Sequence, residues 1–220
     1  MSIEICDNHR MNQARPGKRT KVSPPAASVA ESPSAAPDVQ QRILDTASHL
    51  FYNEGVRAVG IDLVIDRAQV AKTSLYRYFR TKDDLVAAFL EREDKEFWQQ
   101  WDEVVARHGP DASSELDGLL KWVGERVARP GYRGCPQLNV AAEFADPQHP
   151  ARVISARHRL EQRRRLAVLC KRLGARKPEL CASQLSLLID GAFSSGALLL
   201  GENAGKALRA AARALLSDGT

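Results

Sequence analysis

Residues 71–85, with the sequence AKTSLYRYFRTKDDL, combine side chains that suit contact with a polyanion. Two tyrosines, hydroxyl side chains and basic side chains are mixed within this one stretch. Short hydroxyl side chains can approach base edges and phosphates closely, and cationic side chains gain affinity by displacing the counterions of phosphate. This composition favours an anionic partner such as nucleic acid over an ordinary solvated amphipathic helix.

A helix-turn-helix is the element that would position these side chains. Two short helices are predicted at 61–67 and 71–78, and the residues between them read AQV. In such a motif the second helix enters the DNA major groove, which is about 12 Å wide, and its inner side must be apolar. Leu75 and Phe79, with Val70 just upstream, supply that apolar side, so we expect them in the core of the domain.

The helix that follows this motif carries one further cation. Thr81 can cap it, with Asp84 at the third position reaching back as in a capping box. Lys82 then lies in the first turn, where backbone N–H groups also favour phosphate. We expect this helix to span 82–107 and to link the motif to the rest of the chain.

Helical periodicity continues along the chain, without convincing strand alternation or an internal repeat. Glycine and proline residues separate the helical segments from one another. The predicted fold class is therefore all-α. The remaining helices are predicted at 38–54, 113–128, 137–144, 151–173, 178–200 and 204–216.

Composition and charge narrow the class of protein. The chain has 220 residues, 44% hydrophobic content and a net charge of +5, which mildly favours an anionic partner. No window approaches the roughly 18 unbroken apolar residues of a membrane span, and the residues MSIEICDNHR lack the pattern of an export signal. We therefore expect a cytoplasmic protein whose four cysteines are reduced thiols.

Motifs of catalysis and cofactor binding do not occur in the sequence. It contains no G-x-S-x-G, HExxH, P-loop or G-x-G-x-x-G. A dyad of Cys135 with His149 or His158 can be drawn, but such pairs arise easily by chance. We expect no enzyme activity, no cofactor and no metal site.

The segment FYNEGVRAVGIDLVIDRAQVAKTSLYRYFRTKDDLVAAFL resembles the DNA-binding domain of the tetracycline-repressor (TetR) family. The family pattern runs approximately AGVS-x-GTLYYHF-x-SKE-x-L, and the resemblance covers residues 38–92. At the corresponding places this chain has Ala68, Val70, Leu75, Tyr76, Phe79, Lys82 and Leu85, with Ser74 for the threonine. The resemblance implies an N-terminal three-helix helix-turn-helix domain followed by a larger helical domain for ligand binding and dimerisation.

The resemblance implies a ligand-responsive transcriptional regulator. It is expected to repress by binding a pseudo-palindromic double-stranded operator as a homodimer, to be released by a small-molecule effector, and to have no membrane partner. Lys82 is implied as a phosphate anchor, and Tyr76 is expected to place its hydroxyl on phosphate while its ring packs on the domain. The full set of implied DNA contacts is Lys72, Thr73, Ser74, Tyr76, Arg77, Tyr78 and Lys82.

Two departures from the family pattern lie just upstream of the second helix of the motif. Gln69 replaces the usual turn glycine, which costs about 1 kcal/mol if the position needs a positive φ. Ala71 replaces the usual capping serine, with a further loss of about 1 kcal/mol. These departures bear on the operator and the set of contacts, and they leave the motif itself in place.

Two stripes of apolar and small residues in the last helices predict the dimer interface. Their spacing fits a four-helix interface between protomers or the core of one protomer, and a stripe does not distinguish the two. A two-fold dimer would read two half-sites, whereas a single motif reads few bases. The predicted interface residues are Leu185, Leu188, Ala192, Gly196, Leu199, Leu208, Ala212 and Leu215.

A ligand pocket in the C-terminal half needs apolar walls and a few polar groups. The tryptophans supply aromatic walls but fit a plain core equally well, and Asn139 fits either a pocket or a backbone cap. Nothing in the sequence shows the low thiol pKa that a redox role of Cys135 would need. The candidate pocket residues are Trp98, Trp101, Trp122, Cys135, Asn139, Glu143, His158 and Phe193.

Two basic segments lie outside the motif. Residues 1–37 are rich in Pro, Ala and Ser in their second half, and we expect them to form a disordered arm. The arm would precede a DNA-binding domain at 38–85 and a ligand-binding and dimerisation domain at 86–220. The run 152–177 has ten Lys or Arg against Glu161 alone, and we expect a solvated face paired with acids elsewhere. The alternative function is a nonspecific nucleic-acid-binding protein that uses both segments.

Overall fold

The computed structural model of the protein describes residues 38–195 and 202–219. Over these ranges the chain forms nine α-helices and no strand, which confirms the all-α prediction. The predicted arm at 1–37 and two predicted interface residues, Gly196 and Leu199, lie outside the described residues. The helices are α1 Val39–Glu54, α2 Ile61–Ala68, α3 Lys72–Tyr78, α4 Lys82–His108, α5 Ala112–Val127, α6 Pro136–Glu143, α7 Pro150–Arg172, α8 Pro178–Ser195 and α9 Glu202–Gly219.

Local signals in the sequence set several of the helix ends. α1 ends at Gly55, whose φ of 89° suits glycine. α4 begins with the predicted capping box, in which the Thr81 hydroxyl accepts from the Asp84 N–H and the Asp84 carboxylate accepts from the Thr81 N–H, both at 3.0 Å. α6 and α7 each begin with a proline, at a position where the N–H has no partner within the helix.

The first hydrophobic core joins α1, α2 and α3 to the first part of α4. Phe51 and Phe89 lie in it, with their ring centres 5.9 Å apart. Leu75 and Phe79 of α3 are 0% and 4% exposed, which confirms that they hold the second helix of the motif to its domain. Val140 of α6 belongs to the same cluster, so α6 is packed against this domain as well.

The second hydrophobic core holds most of the predicted interface residues. Leu185 and Ala212 are fully buried, and Leu188 and Leu215 pack against the cluster from its edge. Fully buried side chains are unavailable to a partner, whereas Leu188 and Leu215 are only partly buried, so the predicted four-helix interface stays a prediction. The residues concerned are Leu185, Leu188, Ala192, Leu208, Ala212 and Leu215.

The arginine-rich run lies on α7, and many of its charges are paired. Arg157 is 2.6 Å from Glu91 of α4, and Arg165 is 2.7 Å from Glu161. Further pairs join the run to other helices, namely Arg159–Asp190, Arg165–Asp102 and Arg172–Glu115. This confirms the expected pairing with acids elsewhere in the chain.

Candidate nucleic-acid interface

The helix-turn-helix is formed by α2 and α3, and α3 presents a polar side to solvent. Leu75 points into the core, whereas Lys72, Thr73 and Arg77 are exposed and Ser74 is half-buried. Hydroxyl and cationic groups therefore occupy the accessible side of a helix whose opposite side is anchored. This is the arrangement that contact with base edges and phosphates in a major groove requires.

The turn before α3 is closed by Gln69 in the left-handed conformation. Its φ of 53° and ψ of 52° make it the one non-glycine residue with positive φ among the described residues. The cost of about 1 kcal/mol considered for this position therefore applies. The Gln69 side-chain amide donates a 2.6 Å hydrogen bond to the Asp66 carbonyl, which offsets part of that cost. Ala71, as expected, caps α3 without a side-chain hydrogen bond.

Lys72 of α3 is paired with an acid of α2. Its Nζ atom lies 3.1 Å from Oδ1 of Asp62, and both side chains are exposed. The hydrogen bond to Asp62 and the charge of this carboxylate raise the pKa of Lys72, so its ammonium group remains charged. Asp62 competes with DNA phosphate for that ammonium group because both acceptors are anionic.

The two tyrosines of α3 differ in how far they are buried. Tyr76 is 42% exposed, whereas Tyr78 packs against the first core. The Arg77 guanidinium donates to the Tyr78 hydroxyl at 3.1 Å and lies 4.9 Å from the centre of its ring. Tyr78 is therefore the tyrosine of α3 that packs against the first core, and the expected role of Tyr76 stays a prediction.

Lys82 is a half-buried cation at the start of α4, and no hydrogen bond or ion pair within the described residues engages it. The two acids that follow it are engaged by other groups. Asp84 belongs to the capping box, and Oδ2 of Asp83 lies 3.4 Å from Nε2 of His149. The Lys82 ammonium is therefore available for a phosphate.

Six of the eight candidate pocket residues gather around Phe97 in the second core. The centre of the Phe97 ring lies 5.1 Å from that of Trp122 and 4.7 Å from that of His158. The cavity beside these rings measures about 10 Å³, which is the space of one water molecule. The residues brought together are Trp98, Trp101, Trp122, Cys135, His158 and Phe193.

Polar groups are buried beside this aromatic cluster. Asp94 Oδ1 lies 2.6 Å from His158 Nδ1 and accepts a 2.9 Å hydrogen bond from Trp98 Nε1. Burial lowers the pKa of His158, although the hydrogen bond to Asp94 acts in the opposite direction. Burial raises the pKa of the Cys135 thiol and also that of the Glu93 carboxyl at the cavity edge. A buried thiol of raised pKa fits a structural role for Cys135.

Asn139 and Glu143 lie on α6, outside the aromatic cluster that gathers the other six candidate pocket residues. The Asn139 amide donates to the Arg133 carbonyl at 2.8 Å, which is the backbone role left open for it. The Glu143 carboxylate accepts hydrogen bonds from the backbone N–H groups of Val56 at 2.9 Å and Arg57 at 2.7 Å. Both side chains hold backbone in place because their polar atoms reach neighbouring loops.

Tyr52 of α1 is a connecting residue that sequence reasoning missed. Its hydroxyl accepts a 2.8 Å hydrogen bond from the Arg133 N–H and donates to the Gly134 carbonyl at 3.3 Å. In the same region the Gln137 amide donates to the Leu90 carbonyl of α4 at 2.9 Å. Tyr52 and Arg133 are 81 positions apart in the chain, so no local sequence pattern could have indicated their hydrogen bond.

Residues 38–195 and 202–219 hold no group of three His, Cys, Asp or Glu side chains that could bind a metal ion. None of the helices in these ranges has both the length and the apolar character needed to cross a bilayer.

Several known proteins are similar in sequence to part of this chain. A sequence model described as "Bacterial regulatory proteins, tetR family" matches residues 43–89. The transcriptional regulator AcuR of Cereibacter sphaeroides is 29% identical over 116 residues, which are 51% of this chain and 53% of AcuR. The transcriptional repressor NemR of Escherichia coli K12 is 31% identical over 110 residues, which are 50% of this chain and 55% of NemR. These matches span about half the length of each relative.

A solved structure shows similarity over a larger share of the chain. SCO4454, a TetR-family transcriptional regulator from Streptomyces coelicolor, is 31% identical and has a TM-score of 0.79. The comparison covers 82% of this chain and 95% of that one, so the similarity extends well beyond the helix-turn-helix. The chain therefore belongs to the TetR family of DNA-binding transcriptional regulators.

Proposed function

We propose that the protein is a repressor that binds a pseudo-palindromic operator as a homodimer and leaves it when a small molecule binds its C-terminal domain. The observation that carries the proposal is the polar side of α3, which is exposed while Leu75 and Phe79 anchor the opposite side. Similarity to NemR, a transcriptional repressor, supports repression over activation. The proposed DNA-binding domain at 38–85 lies in the first core, and the proposed effector and dimerisation domain at 86–220 contributes Val86, Phe89 and Val140 to that core and holds the second core.

Each polar residue of the motif has a distinct proposed contact. Thr73 and Ser74 have short side chains near the start of α3 and contact base edges. Lys72, Tyr76 and Arg77 contact the phosphates that border the major groove, and Lys82 is a further phosphate anchor. Tyr78 completes the set through its hydroxyl, which already orients Arg77.

The proposed dimer contact lies on the outer side of α7 and α8. Leu160, Val168 and Leu187 are 60%, 52% and 71% exposed, which is unusual for three large apolar side chains on neighbouring helices. Leu160 lines two adjoining surface grooves, one of about 550 Å³ shared with Val168 and one of about 570 Å³ shared with Leu187. A second copy of the chain would cover this apolar surface with its own α7 and α8.

The proposed effector site is the aromatic cluster around Phe97. A surface pocket of about 240 Å³ shares Glu93, Arg126 and Pro136 with the internal cavity, and so offers a route into it. Because the cavity itself has room for one water only, binding must displace packed side chains. A bound effector would therefore change the positions of the helices that surround the cluster.

Helix α6 is the proposed route from the effector to the DNA-binding domain. Pro136 and Gln137 at its start line the cavity, while Glu143 at its end holds the turn after α1. A shift of α6 would therefore move the DNA-binding domain and change the distance between the two α3 helices of a dimer. The protein would have one conformation that fits the operator and one that does not. To change operator occupancy from nearly full to nearly empty, the effector must bind the second conformation about 10⁴-fold more tightly than the first.

The test is a footprint of the full-length protein on DNA from its own genomic neighbourhood. A two-fold symmetric footprint with half-sites one or more helical turns apart supports the proposal. Replacing Thr73 or Ser74 should change base preference more than salt dependence, and Lys82→Ala should weaken all sequences alike. Protection without any sequence preference, lost when residues 1–37 are removed, would instead establish the nonspecific binder.

A further inference from the structure

Two cysteines of the second core lie with their sulfur atoms in direct contact. Cys170 near the end of α7 and Cys181 near the start of α8 have Sγ atoms 3.0 Å apart, and the Cys170 thiol donates toward the Cys181 sulfur. Both are free thiols in this structure. The proposed regulatory function uses neither of them, and the sequence showed no CxxC spacing that would single them out.

The turn between α7 and α8 holds the two cysteines in this position. The Ala175 N–H donates to the Cys170 carbonyl at 3.1 Å, and the Cys181 N–H donates to the Lys177 carbonyl at 3.0 Å. Gly174, with a φ of 82°, allows the chain to reverse direction between these two bonds. The backbone on either side of the sulfur pair is thus fixed by hydrogen bonds.

The two thiols differ in their access to solvent. Both thiols are buried, but Cys170 is 0% exposed whereas Cys181 is 8% exposed and lines a surface pocket of about 350 Å³ between the α7–α8 turn, α8 and α9. Arg176 and Lys177 line the same pocket and can stabilise negative charge that develops on an oxygen leaving from a small reactant. Burial, together with the hydrogen bond to Cys181, raises the pKa of Cys170, so Cys170 is the protonated donor of the pair.

We propose that Cys170 and Cys181 form an oxidisable dithiol, in which Cys181 reacts with a hydroperoxide and Cys170 resolves the product into a disulfide that fastens α7 to α8. In the first step the Cys181 sulfur attacks the peroxide and forms an S–O bond, the O–O bond breaks, and the alcohol or water that leaves carries the thiol proton. In the second step the Cys170 sulfur attacks Cys181, the S–S bond forms and the S–O bond breaks. The Cys170 proton leaves with the hydroxide as water, so two thiols lose two electrons and the hydroperoxide gains them.

The test uses the full-length reduced protein, hydrogen peroxide as the oxidant, and alkylation followed by peptide mapping. We expect one disulfide between the peptides that contain Cys170 and Cys181, with Cys135 still alkylated. Cys135→Ser should form the same disulfide at the same rate. A link that involves Cys135 or Cys6, or a pair that stays fully alkylatable after millimolar peroxide, would overturn the proposal.

Two single variants assign the order of the steps. Cys170→Ser should stop at a sulfenic acid on Cys181, which dimedone captures, whereas Cys181→Ser should leave Cys170 reduced. Capture of dimedone on Cys170 in the second variant would contradict the assigned order. If either variant fails to fold, the wild-type peptide map still decides whether the pair is a redox site.

A stability measurement on the wild type gives an independent readout. Closing a loop of about 11 residues should raise the Tm of the oxidised protein by roughly 5–10 °C relative to the reduced protein. Addition of a reductant should reverse the increase. An unchanged or lowered Tm in protein whose disulfide is confirmed by mass would show that the link does not fasten the two helices in their native arrangement.

Discussion

The Glu143 carboxylate of α6 accepts a 2.7 Å hydrogen bond from the backbone N–H of Arg57, in the turn that follows α1. The two residues are 86 positions apart in the chain, and a second bond of 2.9 Å from the Val56 N–H reaches the same carboxylate. One side chain thus connects the helix beside the cavity at Phe97 with the domain that carries the DNA-binding motif.

Replacing Glu143 should weaken this connection. Glu143→Ala leaves two backbone donors without their charged acceptor, and we expect the free energy of unfolding to fall by about 2 kcal/mol in urea denaturation. Glu125 is a matched control because its exposed pair with Lys121 on α5 stabilises the protein by less than about 1 kcal/mol. Equal losses for Glu143→Ala and Glu125→Ala would contradict the connecting role.

Gln69→Gly should relieve the strain of the left-handed turn before α3. Glycine adopts this conformation without a Cβ clash, so we expect the free energy of unfolding to rise by up to about 1 kcal/mol, reduced by the lost bond to Asp66. Gln69→Ala keeps the strain and loses the bond, and should destabilise the protein. Chemical denaturation of both variants gives the direction of each change in the free energy of unfolding. A glycine variant that is less stable than the alanine variant would contradict strain at Gln69.

Asp62→Asn should strengthen operator binding. The substitution removes the acceptor that competes with phosphate for Lys72, and we expect affinity to rise by about threefold to tenfold. Asp66→Asn removes the same charge from α2 without touching Lys72, and so controls for net charge. Titrations by fluorescence anisotropy at two salt concentrations measure the operator affinity of both variants. An equal gain in affinity for Asp62→Asn and Asp66→Asn would contradict a specific effect of the Lys72–Asp62 pair.

Stability should fall between neutral and mildly acidic pH because of His158. Burial lowers the pKa of His158 in the folded protein, with Arg159 and Arg126 acting in the same direction and Asp94 opposing them. Below the unfolded pKa of about 6.5 the unfolded chain therefore binds more protons, so stability is retained above that pH and lost as pH falls toward the folded value.

A comparison of two pH values isolates this contribution. Between pH 7.5 and 5.5 we expect the loss in the free energy of unfolding to be about 1 kcal/mol smaller in His158→Gln than in the wild type. His108→Gln is the control, because His108 lies away from the aromatic cluster and bonds to Ser114. An identical pH dependence of the wild type and His158→Gln would rule out the assignment.

Leu187→Glu and Leu160→Glu should convert the proposed dimer into a monomer. Each places a charge in the exposed apolar surface of α7 and α8, and operator affinity should fall by at least about tenfold because half-sites are no longer bound together. Leu180→Glu is the matched control, since Leu180 is 52% exposed on α8 but lines a different pocket. Light scattering gives the oligomeric state, and a dimer that survives both substitutions would place the interface elsewhere.

The sequence indicated those features that depend on neighbouring residues. The helix-turn-helix, the capping box of Thr81 and Asp84, the turn position of Gln69 and the uncapped Ala71 are all set by spacings of a few residues. The burial of Leu75 and Phe79 followed from their spacing on one side of a short helix. Local backbone geometry and helical periodicity are properties of short segments, so the sequence alone suffices for them.

Tertiary structure decided which partner each helix side meets. The stripes that contain Leu185 on α8 and Ala212 on α9 have the same periodicity whether they face a second protomer or their own core, and helix packing buries these two side chains. The contact of Glu143 with Arg57 and that of Cys170 with Cys181 join different helices, and the apolar surface of α7 and α8 appears only when the other sides are covered. Thus the sequence by itself determined the helices and the DNA-binding motif. The packing of those helices decided which apolar side chains stay exposed, the contact of α6 with the turn after α1, and the sulfur pair, because contacts between distant segments depend on how all the helices fill one volume.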